Sequence, residues 1–212
     1  MNPKWYSLER CTDFMKQNKN PKLTHIYEFG VFDCSSLVYI ENLCKVKEIH
    51  YDKIVGFDSF QGFPSFKKEY AIDPNTYRDW ETMDFSCVKD KTQIESTLIN
   101  LKQKFIDEPL LIPGYYEDSL KDEIITHHNL GPALFVHIDC DLYTSTHTVL
   151  DFLYKHNIIQ SGTILKYDEW GPLFKPDEPF GEERAHLEML QKYGGAYDQL
   201  ETMGDKIIFR RI

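Results

Sequence analysis

The fold is decided by the stretch Thr24-His25-Ile26-Tyr27-Glu28-Phe29-Gly30-Val31-Phe32-Asp33-Cys34-Ser35-Ser36. Residues 24–29 predict a strand that ends at Gly30, and residues 36–48 predict a helix with an apolar stripe. Ser35 or Ser36 would cap that helix. A strand, a tight turn and a helix in this order are typical of α/β proteins.

The turn at Gly30 suits a bound ligand. Glycine lets the backbone turn sharply and lets a ligand approach closely, and the helix N-terminus behind it offers free amide groups to an anion. The G-x-G-x-x-G pattern of nicotinamide sites is absent, because only Gly30 is present. A ligand with one carboxylate, such as the methionine part of S-adenosylmethionine, is therefore favoured over a pyrophosphate. The alternative is a plain structural turn.

The rest of the chain repeats this alternation of strands and helices. Further strands are predicted at 53–58, 109–113, 133–139 and 162–168, and helices at 92–106, 117–127, 145–156 and 181–192. The helix at 92–106 would begin with a capping box of Thr92 and Glu95. Two final strands, 196–202 and 206–211, predict a hairpin. The pattern predicts one α/β domain over residues 1–212, with a mainly parallel sheet and an antiparallel strand near its edge.

Composition narrows the class of protein. The net charge is −10 with no cluster of basic residues, which argues against a nucleic-acid partner. No apolar run is long enough to span a membrane, and the first residues lack the apolar core of a signal peptide. The number of cysteines is odd and none form a C-x-x-C pair, which favours reduced thiols. We therefore expect a cytoplasmic protein without a membrane partner.

Acidic residues follow four of the five alternating strands, at the edge where open α/β sheets bind ligands. Asp58 ends the second strand, where a carboxylate accepts hydrogen bonds from both ribose hydroxyls of a nucleoside. Its alternative role is to cap the turn at Ser59-Phe60. Ser36, Ser59 and Tyr116 are further candidates for contact with the ligand. Tyr116 would flank an adenine ring or simply pack.

A second acidic group follows the fourth and fifth strands. Asp139, Asp141, Asp168 and Glu169 would lie close together, and carboxylates so close repel one another unless they are protonated or neutralised. A hard divalent cation such as Mg²⁺ neutralises them and could orient a substrate hydroxyl. The alternative is a helix cap and solvated side chains. His137 shares the side-chain phase of Asp139, which makes it either a general base or a hydrogen-bonded core histidine.

Four strings of residues together resemble the macrocin O-methyltransferase (TylF/MycF-like) family. They are Glu28-Phe29-Gly30-Val31, Gly56-Phe57-Asp58-Ser59-Phe60-Gln61-Gly62-Phe63-Pro64, His137-Ile138-Asp139-Cys140-Asp141-Leu142-Tyr143-Thr144-Ser145-Thr146 and Tyr167-Asp168-Glu169-Trp170. The resemblance implies a Rossmann-like class I methyltransferase with a seven-stranded, mostly parallel sheet in the order 3-2-1-4-5-7-6 and helices on both faces. It also implies S-adenosylmethionine as donor, Mg²⁺, and methyl transfer to a hydroxyl, often on a sugar.

The resemblance assigns roles to matching positions. Glu28, Gly30 and Asp58 would hold the donor, and Asp139 with the Asp168-Glu169 pair would bind the metal. Asp139 would also approach the donor, and Asp139 and His137 are the candidate catalytic residues. Two departures are visible: a glutamate stands at 169 where relatives often have a second aspartate, and Cys34-Ser35 stands near the usual glycines. Residues 1–23 form a short N-terminal cover segment.

The acceptor is not specified by the sequence. Residues 61–90 interrupt the alternation and are rich in aromatic residues, so we expect a lid that shapes the acceptor pocket. Rival hypotheses are a methyltransferase for a nitrogen, phosphate or catechol, a non-catalytic donor-binding protein, and a nicotinamide enzyme. The oligomeric state is left open, with a homodimer as one candidate.

Overall fold

A computed structural model describes residues 3–63, 86–88, 90–171 and 181–212. Its strands are β1 His25–Phe29, β2 Lys53–Asp58, β3 Leu110–Pro113, β4 Ala133–Ile138, β5 Ile164–Tyr167, β6 Tyr197–Met203 and β7 Lys206–Arg211. Its α-helices are α1 Pro3–Lys16, α2 Ser35–Val46, α3 Ile94–Lys102, α4 Tyr116–Ser119, α5 Glu123–His127, α6 Tyr143–Lys155 and α7 Gly181–Tyr193. The sheet order is β3-β2-β1-β4-β5-β7-β6, which confirms the predicted order and fold class.

The central strands are buried on both faces because helices cover both sides of the sheet. Successive residues of β1 point to opposite sides: Ile26 packs toward α1, α2 and α3, whereas Tyr27 and Phe29 pack toward α6 and α7. All five residues of β1 and all six of β4 are buried. This burial explains why these strands read as continuous apolar runs rather than as an alternating pattern.

The parallel strands end together at one edge. β1 pairs with β2 and with β4, β2 pairs with β3, and β4 pairs with β5, all in parallel. Backbone hydrogen bonds continue beyond the strands: Gly30 N–H donates to Phe57 O at 3.0 Å, and Asp139 N–H donates to Phe29 O at 2.9 Å. The predicted acidic residues at the strand exits are therefore brought to one edge of the sheet.

The N-terminal segment forms a helix that the sequence analysis did not predict. Leu8, Cys11 and Met15 of α1 are buried on the face of the sheet that α2 also covers. The first turn of α1 lies at the edge where the parallel strands end. Its residues Lys4 and Trp5 line a cavity at that edge. The buried stripe thus fixes the position of the first turn.

Several local predictions were wrong. The predicted helix at 92–106 is a short 3₁₀ turn followed by α3, and Thr92 does not cap it; the side chain of Asp90 instead accepts the Thr92 N–H at 3.0 Å. The predicted helix at 117–127 is divided into α4 and α5. No serine side chain caps α2, whose N-cap residue is Cys34 in the left-handed conformation at φ 67°.

Three other expectations meet the structure only partly. Most of the predicted lid at 61–90, namely residues 64–85 and 89, lies outside the described residues. All five cysteines are described, four of them are buried, and none forms a disulfide. Within the described ranges, no helix is both long enough and apolar enough to cross a membrane.

Gly30→Ala should destabilise the fold strongly. A Cβ at this position would lie 1.8 Å from the carbonyl oxygen of Asp139, and the backbone φ of +91° already disfavours any other residue. We expect a loss of about 3 kcal/mol or more in the free energy of unfolding, measured by urea denaturation. Gly204→Ala is the control, because φ is +65° there but nothing lies within 4 Å of the added Cβ; it should cost only about 1 kcal/mol. Equal losses in the two variants would contradict the steric argument.

Candidate active site

A cavity of about 390 Å³ lies at the carboxyl edge of the sheet. This volume is within the range of small-molecule sites. Among the predicted donor contacts, its lining includes Gly30, Ser36, Asp58, Ser59, Tyr116 and Asp139; among the predicted metal ligands, it includes Asp139, Asp141, Asp168 and Glu169. Both predicted sets therefore open onto one cavity, and Asp139 belongs to both.

Asp58 holds the turn that follows β1. One of its carboxylate oxygens accepts the Phe32 N–H at 2.8 Å, and the other accepts the Phe60 N–H at 2.6 Å. Burial raises the pKa of Asp58, while these backbone amides act in the opposite direction. The capping role that was the alternative for Asp58 is thus present. It does not exclude a ligand, because each carboxylate oxygen has a second lone pair and Asp58 lines the cavity.

Aromatic side chains border the cavity beside Asp58. Tyr116 meets Phe29 edge-on with ring centroids 6.1 Å apart, and Tyr115 and Phe63 also line the cavity. The Tyr115 hydroxyl lies 3.5 Å from the carbonyl oxygen of Phe63. A flat apolar group such as a nucleobase would fit beside such rings. The packing role and the ligand role of Tyr116 are therefore compatible.

Three carboxylates converge on the other side of the cavity. Asp139, Asp168 and Glu169 each offer an oxygen within 4.8 Å of the others, which is close enough for a shared metal ion. Asp141, the fourth predicted ligand, lines the same cavity but is not part of this group of three. Asp141 has a left-handed backbone with φ 61°, at the turn into α6.

Three lysines in the described part of the chain face these carboxylates. Lys166, fully buried on β5, contacts Asp168, and Lys206 on β7 lies 3.3 Å from the same carboxylate. Burial raises the pKa of Asp168, but Lys166, His137 and Lys206 together outweigh burial and hold that pKa far below the usual range. Lys4 of α1 donates to Asp139 Oδ2 at 2.9 Å. None of these lysines was predicted as a site residue.

Glu182 adds a buried acid to the group. It is fully buried in the first turn of α7, and its Oε2 accepts the Glu169 N–H at 2.9 Å. Burial, followed by the charges of nearby acids, raises the pKa of Glu182 and of Glu169 well above the usual value. From the sequence, Glu182 favours a helix N-terminus, with a contact to the acceptor as the alternative. Its hydrogen bond to the Asp168-Glu169 turn was not visible from the pattern.

The charges do not balance within this group. Asp139, Asp141, Asp168, Glu169 and Glu182 supply five carboxyl groups, and the three lysines supply three ammonium groups. With all eight of these groups ionised, they carry about two more negative than positive charges among themselves. Burial first, and then the charges of the neighbouring acids, raise the pKa of Glu169 and of Glu182, and either protons or a divalent cation would relieve the repulsion among these acids.

His137 and Glu28 lie beneath the cavity and do not line it. Both are fully buried, and Glu28 Oε1 is hydrogen-bonded to His137 Nδ1 and to the Ser36 hydroxyl. On its other side, His137 Nε2 lies 2.9 Å from Lys166 Nζ and 3.3 Å from Asp168 Oδ1. This geometry favours the core-histidine alternative for His137. Glu28 would act on a ligand through Ser36 and the turn rather than by direct contact.

The chain was also compared with known proteins. The family model described as Macrocin-O-methyltransferase (TylF) matches residues 4–173. Among solved structures, the O-methyltransferase NovP is similar at 20% identity, 99% coverage of this chain, 79% coverage of that chain and a TM-score of 0.73. CalS11, a calicheamicin methyltransferase, is similar at 21% identity, with 97% of this chain and 77% of that chain covered and a TM-score of 0.69. The Podospora anserina methyltransferase PaMTH1 with bound SAH is similar at 12% identity, with 96% of this chain and 78% of that chain covered and a TM-score of 0.51. No curated protein sequence matches.

Glu182→Gln should flatten the dependence of stability on pH. The folded pKa of Glu182 lies above its unfolded value of about 4.3, so its contribution is present below that value and is lost as the pH rises toward the folded pKa. Without divalent cations, the stability of the wild-type protein should therefore fall as the pH rises above about 4.3, and more steeply than the stability of Glu182→Gln. The amide keeps an acceptor for the Glu169 N–H but carries no charge. We expect Glu182→Gln to have a larger free energy of unfolding than the wild-type protein at pH 8, measured by urea denaturation in EDTA.

The control for this measurement is Glu123→Gln, at an exposed glutamate on α5. It removes one carboxylate of the same type away from the cavity, and it should leave the pH profile unchanged. A profile that is equally steep in wild type and Glu182→Gln would contradict the assignment of a raised pKa to Glu182.

Proposed function

This chain belongs to the macrocin O-methyltransferase (TylF) family and is an S-adenosylmethionine-dependent methyltransferase, and we propose that it methylates a hydroxyl of a sugar or of a glycosylated small molecule with the assistance of Mg²⁺. One observation carries the proposal: the predicted donor contacts and a group of three carboxylates line the same cavity. Family membership sets aside the nicotinamide and non-catalytic alternatives.

The donor fits the side of the cavity formed by β1 and β2. Gly30 lines the cavity at the turn where the methionine part would lie, and Asp58 faces the cavity with lone pairs for the ribose hydroxyls. Tyr116 and its neighbours would flank the adenine. Ser36 lies in the first turn of α2, whose positive dipole end favours the donor's carboxylate.

The metal fits the opposite side. Asp139, Asp168 and Glu169 supply hard oxygen ligands, and their excess negative charge favours a divalent cation. When bound, Mg²⁺ would lower the pKa of the acceptor hydroxyl and fix its orientation. Glu169 reaches this group although its side chain is one methylene longer than aspartate. Its backbone is held by Glu182, which fixes where that longer side chain begins.

Asp139 is the residue placed to act on the acceptor. It follows β4 directly behind Gly30, so it lies between the donor side and the carboxylate side of the cavity. In the proposed reaction the acceptor oxygen forms a bond to the methyl carbon while the carbon–sulfur bond of the donor breaks. The hydroxyl proton passes to Asp139, and S-adenosylhomocysteine leaves. Holding donor and hydroxyl in line accounts for most of the expected acceleration.

The sugar acceptor is supported by the proteins that this chain resembles. CalS11 is a TDP-rhamnose 3'-O-methyltransferase in calicheamicin biosynthesis. Nucleotide sugars and glycosides are therefore the first acceptors to test. Nitrogen, phosphate and catechol acceptors are the alternatives, and activity that needs no metal would favour them.

Asp58→Asn should weaken S-adenosylmethionine binding by about ten-fold or more, because the amide lacks the charge and one of the acceptor oxygens that the ribose would use. Isothermal titration calorimetry measures this loss. The matched control is Asp52→Asn, an exposed aspartate just before the opposite end of the same strand, which should bind as wild type does. Wild-type affinity in Asp58→Asn would contradict the ribose role.

Glu169→Gln should remove metal stimulation while leaving donor affinity unchanged. The amide is a poorer ligand for Mg²⁺, whereas Glu169 lies on the side of the cavity away from Asp58. The measurement is the rate of radiolabelled methyl transfer to a panel of nucleotide sugars, in EDTA and with increasing Mg²⁺ up to millimolar concentrations. At saturating Mg²⁺, the rate of Glu169→Gln should be about 10–100-fold lower than that of the wild-type protein. Glu183→Gln, at a neighbouring α7 residue that does not line the cavity, is the control. Wild-type activity that persists in EDTA would contradict the metal.

A further inference from the structure

Lys4 is placed where a metal ion would have to arrive. It lies in the first turn of α1, lines the cavity, and its Nζ is 2.9 Å from Asp139 Oδ2. Asp139 is also one of the three carboxylates that converge within 4.8 Å. Asp139 therefore pairs with an ammonium group in this structure and also belongs to the group of carboxylates proposed to hold Mg²⁺.

Lys4 differs from the other two lysines of the group. The side chain of Lys166 is fully buried and that of Lys206 is 12% exposed, and both project from strands inside the sheet. The side chain of Lys4 is 36% exposed and projects from the end of a helix. Its flexible four-carbon stem can carry the ammonium group into solvent without a change in the backbone. Of the three, only Lys4 combines contact with the carboxylates and a side chain that is more than one third exposed.

The anchoring of α1 keeps this lysine close at all times. Leu8, Cys11 and Met15 are buried against the sheet, so the first turn stays over the cavity whether or not Lys4 contacts Asp139. The Ser7 hydroxyl also donates to the Lys4 carbonyl at 2.7 Å, which holds the backbone at Lys4. Tethered in this way, the ammonium group has a high local concentration at Asp139.

We propose that Lys4 is a tethered counter-ion that occupies Asp139 in the metal-free protein and is displaced by the divalent cation. This inference rests on the proposed metal site. An ammonium group and a divalent cation repel each other strongly when both contact one carboxylate in a partly buried site. Lys4 therefore lowers the affinity for metal, and metal binding moves its ammonium group to the mouth of the cavity. In the metal-free state it keeps Asp139 paired and oriented.

Metal affinity is the first test. Mn²⁺ binding to the full chain, followed by electron paramagnetic resonance of the free ion, should be about ten-fold tighter in Lys4→Met than in wild type, because the competing charge is gone. Lys4→Arg keeps a competing cation and should remain close to wild type. Lys16→Met is the matched control, because it removes the same charge from the exposed far end of the same helix. It should have no effect.

Displacement itself is the second test. Lys4 in the wild-type protein should be acetylated several-fold faster by a water-soluble amine reagent when Mg²⁺ is saturating, as read by mass spectrometry, while Lys16 in the same sample provides the reference. Equal Mn²⁺ affinity in wild type and Lys4→Met would overturn this inference and leave the metal site intact. Tighter binding without a change in Lys4 labelling would overturn displacement. If no variant binds Mn²⁺ although S-adenosylmethionine still binds, the metal site and this inference both fail.

Discussion

The close contact between Gly30 and the backbone of Asp139 is the constraint on which the site depends. Any side chain at position 30 would overlap the Asp139 carbonyl, so the ends of β1 and β4 meet only because this residue is glycine. Hydrogen bonds on both sides, from Gly30 N–H to Phe57 O and from Asp139 N–H to Phe29 O, fix the same three strand ends. The turn at Gly30, where the donor is proposed to bind, and Asp139, the proposed proton acceptor, thus form one rigid unit. The sheet sets the distance between them.

The carboxylates that follow this unit need cations in order to coexist. Lys166 and Lys206 come from strands and hold Asp168 ionised in a buried position. A buried ion pair of this kind adds little stability over apolar packing, because desolvation of both charges offsets their attraction. Its effect here is to keep one proposed metal ligand deprotonated and fixed, whereas burial raises the pKa of Glu169 and Glu182 and favours their neutral forms.

The sequence was sufficient for the strands and for the edge where they end, because burial on both faces leaves continuous apolar runs and acids follow the exits. It was not sufficient for the partners of those acids. Lys4 and Asp139 are 135 residues apart, and no periodicity links them. Lys166 carried one usable signal: a charged residue inside a buried strand, in the same side-chain phase as Asp168. Helix starts were mispredicted because a turn with Asp33 or Asp90 replaced the expected serine or threonine cap.

The glutamate at 169 shows how a departure from a family pattern is absorbed locally. A longer side chain could carry its carboxylate past Asp139 and Asp168, but its oxygen still lies within 4.8 Å of theirs. Glu182 accounts for this, because its carboxylate accepts the Glu169 N–H and fixes the backbone from which the longer side chain starts. Glu182 also brings one more acid, buried and close to the others. The glutamate at 169 thus keeps a carboxylate oxygen within reach of Asp139 and Asp168, with the same charge that an aspartate would carry, so the proposed oxygen ligand is retained.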